Sequence, residues 1–173
     1  MIYYIIGYPC SGKSTFANKI GKYYNVEVID LDEEISKIYG GNTINELFNT
    51  LGEDKFREAE SNVLHQISES KKNSDVIIST GGGCACYYRN ITCMHKYGII
   101  IYLKCSINTI YKRLSEEEIE KRPRFLKEYK EGNLYEFIEE DYQDREYWYK
   151  YADIKINEES FNNQWSKFKS IRN

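Results

Sequence analysis

The chain opens on an apolar run, Ile2-Tyr3-Tyr4-Ile5-Ile6, that breaks directly into Gly7-Tyr8-Pro9-Cys10-Ser11-Gly12-Lys13-Ser14-Thr15. This run fits the pattern G-x-x-x-x-G-K-[ST], and no other feature constrains the fold as much. Such a loop works only between a buried strand and a helix N-terminus, where unpaired backbone N–H groups and the helix dipole face an anion. Phe16, Ile20 and Tyr24 then recur every four residues, which predicts a helix over about 13–24. The loop is therefore expected to cradle nucleotide phosphates with Pro9, Cys10, Ser11, Gly12, Lys13, Ser14 and Thr15. Lys13 adds a full positive charge, and the Ser14 hydroxyl is a ligand suited to Mg²⁺.

Short apolar runs recur at Ile2–Ile6, Val26–Ile29, Val76–Ile78, Ile99–Leu103 and Ile154–Ile156, with helix-like stretches between them. Strand alternating with helix predicts a three-layer α/β/α fold around a five-stranded parallel sheet. Ligands collect at the carboxyl ends of such strands, where Gly7, the pair Asp30/Asp32 and the triplet Gly81-Gly82-Gly83 fall. At 173 residues, one domain over 1–173 is expected. Its core would be about 1–114 and 133–173. The stretch 115–132, rich in Glu, Lys and Arg and without steady apolar spacing, reads as a mobile lid.

Composition narrows the partners. The chain has 27 acidic against 24 basic side chains and no block of Lys or Arg, which argues against nucleic acid or an anionic membrane as ligand. The N-terminal apolar run is too short for a signal peptide or a membrane span, so a cytoplasmic protein, most simply a monomer, is expected. Five cysteines, Cys10, Cys84, Cys86, Cys93 and Cys105, make a disulfide framework improbable. Cys84-x-Cys86 with Cys93 and His95 lacks the paired spacing of a zinc site. Cys10, in the phosphate loop, is expected to have a lowered thiol pKa and to block nucleotide when oxidised.

Phosphoryl transfer needs a metal on the phosphates, a group that orients or deprotonates the acceptor, and cations over the transferred oxygens. If the second strand stays extended through Asp30-Leu31-Asp32, both carboxylates share one side, one toward the metal and one toward an acceptor hydroxyl. The alternative is that Asp32 only caps the next helix. Glu53, Arg57 and Glu60 stand one helical turn apart, which would fix the arginine for a bidentate grip on a carboxylate; on sequence alone, a solvated helix face is the competing reading. Gly81 to Gly83 would allow positive φ and close backbone approach to a ligand. Arg122 and Arg124 flank Pro123 in the lid, Glu118 is placed to pair with Arg122 in an open lid, and Arg145 lies on a helical stretch over 133–151.

Taken together these residues resemble the shikimate kinase family, over most of the chain from the phosphate loop to about Ile156. The match rests on the loop, Asp30/Asp32, the spacing I-x-x-x-F-x-x-x-G-E-x-x-F-R-x-x-E from Ile44 to Glu60, the triple glycine, Arg122-Pro123, and Arg145 before an aromatic-rich segment. The resemblance implies transfer of the ATP γ-phosphate to the 3-hydroxyl of shikimate, in chorismate and aromatic amino acid biosynthesis. Lys13 and Ser14 would then hold phosphate and Mg²⁺, with Asp30 supporting the metal. Asp32 would bind the shikimate hydroxyls and serve as base. Arg57 and Arg145 would grip the carboxylate, with Phe56 and Gly81 to Gly83 lining the acceptor site. Arg122 would close on the phosphates, and Arg113 would lie near adenine. The chain departs from the family pattern at Arg124-Phe125, where two leucines are usual, at Cys84, and in lacking a proline after Arg145. Readings that share the cradle are a gluconate or nucleoside monophosphate kinase, or a nucleotide-binding module without turnover.

Overall fold

A computed structural model describes residues 1–157. Five strands, β1 (Ile2–Ile6), β2 (Glu27–Asp30), β3 (Val76–Ser79), β4 (Gly98–Lys104) and β5 (Ile154–Asn157), form one sheet in the order β2-β3-β1-β4-β5, all neighbours parallel. Each predicted strand is present: β1 has the expected bounds, β2 is shifted by one residue, and the others are extended by one residue at one or both ends. Residues 158–173, assigned from sequence to the core, lie outside the described residues.

The period-two alternation of β1 splits the core. Ile2, Tyr4 and Ile6 pack toward a cluster that includes Leu31, Leu64, Met94 and Tyr149, while Tyr3 and Ile5 face Phe16, Ala17 and Ile20. The sheet is thus buried on both faces, as parallel sheets require. Helix α1 (Lys13–Tyr24) covers the second face. On the first lie α2 (Leu31–Ile38), α4 (Glu53–Lys71), α5 (Asn90–Tyr97) and α9 (Leu134–Tyr149), with α3 (Ile44–Leu51) and α6 (Ile107–Arg113) completing that side. No described helix is long and apolar enough to cross a membrane.

The loop between β1 and α1 turns sharply. Gly12 at φ 93° caps α1, and its carbonyl accepts from Phe16 N at 2.9 Å. The second strand does not remain extended through Asp32, because α2 begins at Leu31. Asp30, not Asp32, is the helix cap: its Oδ1 accepts from Asp32 N at 3.1 Å.

The stretch 115–132 is also more regular than its sequence suggests. It forms α7 (Glu116–Glu120) and α8 (Pro123–Glu131), with Ser115 capping the first and Pro123 starting the second. Each helix has one buried anchor, Ile119 and Phe125. Phe125 stacks on Tyr8 with ring centroids 6.1 Å apart, and its burial contributes about 1.5–3 kcal/mol.

Candidate active site

Two cavities meet at the carboxyl ends of β1, β2 and β3. The first, about 360 Å³, is walled by the phosphate loop, Ser14, Asp30, Thr80 and Arg122. The second is walled by Phe56, Arg57, Glu60, Gly83, Arg124 and Arg145. Pro9, Asp32, Gly81, Gly82 and Arg122 line both. Asp32 therefore stands at the junction of an anion cradle and an arginine-walled chamber.

In the cradle, Lys13 is 8% exposed and its Nζ donates to Tyr8 O at 2.9 Å. Burial lowers its ammonium to about 8, against the opposing pull of the Asp32 carboxylate. Ser14 Oγ donates to Asp30 Oδ2 at 2.9 Å and lies 3.3 Å from Ser79 Oγ. This is a set of hard oxygen donors with one carboxylate, which fits Mg²⁺ held jointly with phosphate and water. Among the described residues no group of three or more His, Cys, Asp or Glu is placed to hold a metal by itself. Thr15 and Cys10 line the cradle, whereas Ser11 is buried beneath it. Arg113 Nη1 donates to the carbonyls of Cys10 and Ser11 at 3.3 and 3.2 Å, bracing the loop from its outer side.

The lowered thiol pKa expected at Cys10 is not found. Burial raises it and outweighs the help of Arg122 and Lys13, while Glu118, 3.7 Å from the sulfur, adds to the rise. The Glu118–Arg122 pair expected from spacing is present: Arg122 Nη1 donates to Glu118 Oε2 at 2.7 Å.

In the chamber, Arg57 is not on a solvated face. It is 6% exposed, and its Nη1 donates to Glu60 Oε2 at 2.8 Å, with Glu53 Oε1 at 3.7 Å from Nε. The guanidinium is sandwiched near the rings of Phe56 and Tyr87, 5.2 and 4.7 Å from their centroids. Glu60 is fully buried, and its Oε1 has no hydrogen-bond partner. Burial raises its carboxyl, and Arg57 restrains the rise. Asp32 is raised to about 7 by burial, reinforced by the carboxylates of Glu60 and Asp30. A carboxylate that titrates there is suited to take a proton near neutral pH.

The triple glycine serves a different need from the one expected. None of the three has a positive φ. A Cβ on Gly81 would stand 2.8 Å from Glu60 Oε1 and 2.9 Å from Asp32 Oδ1, one on Gly82 2.5 Å from Pro9 Cδ, and one on Gly83 2.5 Å from Arg57 Nη2. The glycines make room for the site's own side chains.

Arg145, 8% exposed, pairs through Nε with Asp141 Oδ2 at 2.9 Å and lies over the Tyr8 ring. The same carboxylate accepts from Tyr8 OH at 2.7 Å, and Arg124 Nη1 lies 3.0 Å from its Oδ1. Tyr149 OH donates to Gly82 O at 2.5 Å, fixing the floor. The sequence reading missed Asp141, Tyr8 and Tyr149. Only Asp141 left a signal, its four-residue spacing from Arg145 on one helix.

The family model described as shikimate kinase matches residues 9–172. A shikimate kinase of Clostridium botulinum (strain 657 / Type Ba4) is 39% identical over 141 residues, 82% of this chain and 78% of that protein. One from Bacteroides thetaiotaomicron is 32% identical over 170 residues, 98% and 93% of the two. The crystal structure of the shikimate kinase from Bacteroides thetaiotaomicron superposes with a TM-score of 0.81 at 30% identity, covering 99% of this chain and 94% of that one. That of Aquifex aeolicus gives 0.77 at 28%, covering 99% and 98%. With an anion cradle and an arginine-walled chamber meeting at one carboxylate, the chain belongs to the shikimate kinase family and is an ATP-dependent kinase acting on shikimate.

Proposed function

We propose that the two cavities divide the substrates, with ATP phosphates in the cradle and shikimate in the chamber, so that the 3-hydroxyl meets the γ-phosphate beside Asp32. The observation that carries this is the position of Asp32 in the wall of both. Arg57 and Arg145 bind the carboxylate. That contact is remote from the reacting oxygen and spends its energy on orientation. Asp32 accepts the hydroxyl proton as the oxygen attacks phosphorus and the bond to ADP breaks. Lys13 and Arg122 stabilise charge on the transferred oxygens. Ser14 and Asp30 would hold Mg²⁺, which when bound neutralises phosphate charge. Arg113 borders the adenine end, and Gly81 to Gly83 leave room for Asp32, Glu60, Pro9 and Arg57 beside the ring.

Residues 115–132 act in this reading as the lid, and the chain works as a monomeric, single-domain cytoplasmic enzyme. Glu118 holds Arg122 until phosphate displaces it. Glu118→Ala is accordingly expected to change the KM for ATP with little change in that for shikimate. Initial-rate kinetics check this, and an unaltered ATP KM removes the latch.

The reaction itself is tested by ADP release with Mg²⁺ and ATP, comparing shikimate, gluconate, a nucleoside monophosphate and no acceptor. Turnover confined to shikimate is expected. Turnover on another acceptor, or ATP binding without turnover, overturns the assignment of the chamber.

A further inference from the structure

The chain carries a lid arginine, Arg124, at a position the reaction as described does not use. Arg122 lines both cavities, whereas Arg124 lines only the acceptor chamber, alongside Arg57 and Arg145. Its Nη1 lies 3.0 Å from Asp141 Oδ1, and its guanidinium is 5.2 Å from the Phe137 ring centroid. Its neighbour Phe125 is 2% exposed and stacks on Tyr8, which seats the first turn of α8, and with it Arg124, beside the chamber.

The charge balance at Asp141 is what gives Arg124 a role. Asp141 is 8% exposed, stands behind the chamber wall, and takes Arg145 and the Tyr8 hydroxyl on Oδ2 and Arg124 on Oδ1. A lone Arg145–Asp141 pair would present almost no net charge to a ligand. Two guanidiniums on one carboxylate leave one positive charge in excess, and both arginines, not the carboxylate, line the chamber.

We propose that Arg124 is a specificity-determining residue of the acceptor site: carried by the lid and sharing Asp141 with Arg145, it leaves that cluster with one positive charge in excess, which favours an acceptor bearing a carboxylate. This rests on the reading that Arg57 and Arg145 hold that carboxylate. Closing α8 over the chamber then favours a charged acceptor over a neutral one of the same shape.

The test compares shikimate with its uncharged methyl ester, measuring kcat/KM for the wild type, Arg124→Leu, Arg124→Lys and Arg57→Ala, with thermal unfolding in parallel. Arg124→Leu is expected to raise the KM for shikimate roughly tenfold, leave the KM for ATP unchanged and leave kcat/KM for the ester unchanged. Arg124→Lys should recover most of the loss. Equal losses on shikimate and ester, or a lowered Tm without a change in shikimate KM, would make Arg124 a structural brace and overturn the proposal. A loss in ATP KM would make it a phosphate arginine, with the same consequence. If Arg57→Ala costs as much with the ester as with shikimate, the carboxylate clamp itself fails, a result separate from the behaviour of Arg124.

Discussion

Asp32→Asn is expected to lower kcat by about 10²- to 10⁴-fold while leaving the KM for ATP nearly unchanged, because the amide keeps the shape and loses the proton acceptor. The wild type should gain activity as pH rises through about 7, where Asp32 loses its proton, and the variant's residual rate should not follow that rise. Stability moves the opposite way. Asp32 has a folded pKa raised from 3.8 to about 7, so the folded state holds a proton the unfolded chain has released. Its contribution to stability is therefore greatest at low pH and is lost as pH rises from about 4 to about 7. Asp32→Asn removes that loss and should stabilise the protein at pH 8, by about 1–2 kcal/mol after allowing for partial solvent screening, with no gain at pH 4. A kinetic pH profile and denaturant melts at the two pH values check both signs. A variant that keeps wild-type kcat removes Asp32 as base.

What could be read from the residues follows the range of the interactions involved. The phosphate loop and α1 are local: a strand, a glycine-bearing loop and a four-residue apolar repeat lie within residues 2–24, so their placement was legible. The spacing of Glu53, Arg57 and Glu60 was also local, but the burial of Arg57 and Glu60 was not. It comes from Phe56, Tyr87 and Gly83, two of them some 26–30 positions away. The triple glycine was found in the right place for a partly wrong reason, since what crowds it is Pro9, Asp32, Glu60 and Arg57, brought in by three other segments. Asp32 survived the failure of the extended-strand argument because the first turn of α2 still directs it to the cavity junction. The helices α7 and α8 escaped notice because each is held by one buried residue, which leaves no periodicity to detect. Asp141 gathers partners from the loop after β1, the start of α8 and its own helix. That convergence is tertiary, and linear spacing records only its Arg145 part.

Arg57→Ala should damage binding and folding together, and a second substitution separates the two. Loss of a charge-assisted hydrogen bond to the carboxylate, worth about 1.5–3 kcal/mol, predicts a rise in the shikimate KM of about 10- to 100-fold with the ATP KM little changed. The same change strips Glu60 of its partner at 2.8 Å while the residue stays fully buried. Breaking one side of a buried ion pair costs about 3–5 kcal/mol. The carboxyl of Glu60 is already raised by burial, and removing Arg57 raises it further. A group with a raised folded pKa destabilises more as pH rises, so the penalty should grow as pH rises above the ordinary carboxylate range. Adding Glu60→Gln to Arg57→Ala removes the uncompensated charge. The double variant should regain much of the lost Tm at pH 8 and lose its pH dependence, yet keep the high shikimate KM. If the second substitution restores shikimate affinity along with stability, Arg57 serves only the fold. If the ATP and shikimate KM values rise equally, the arginine does not read the acceptor.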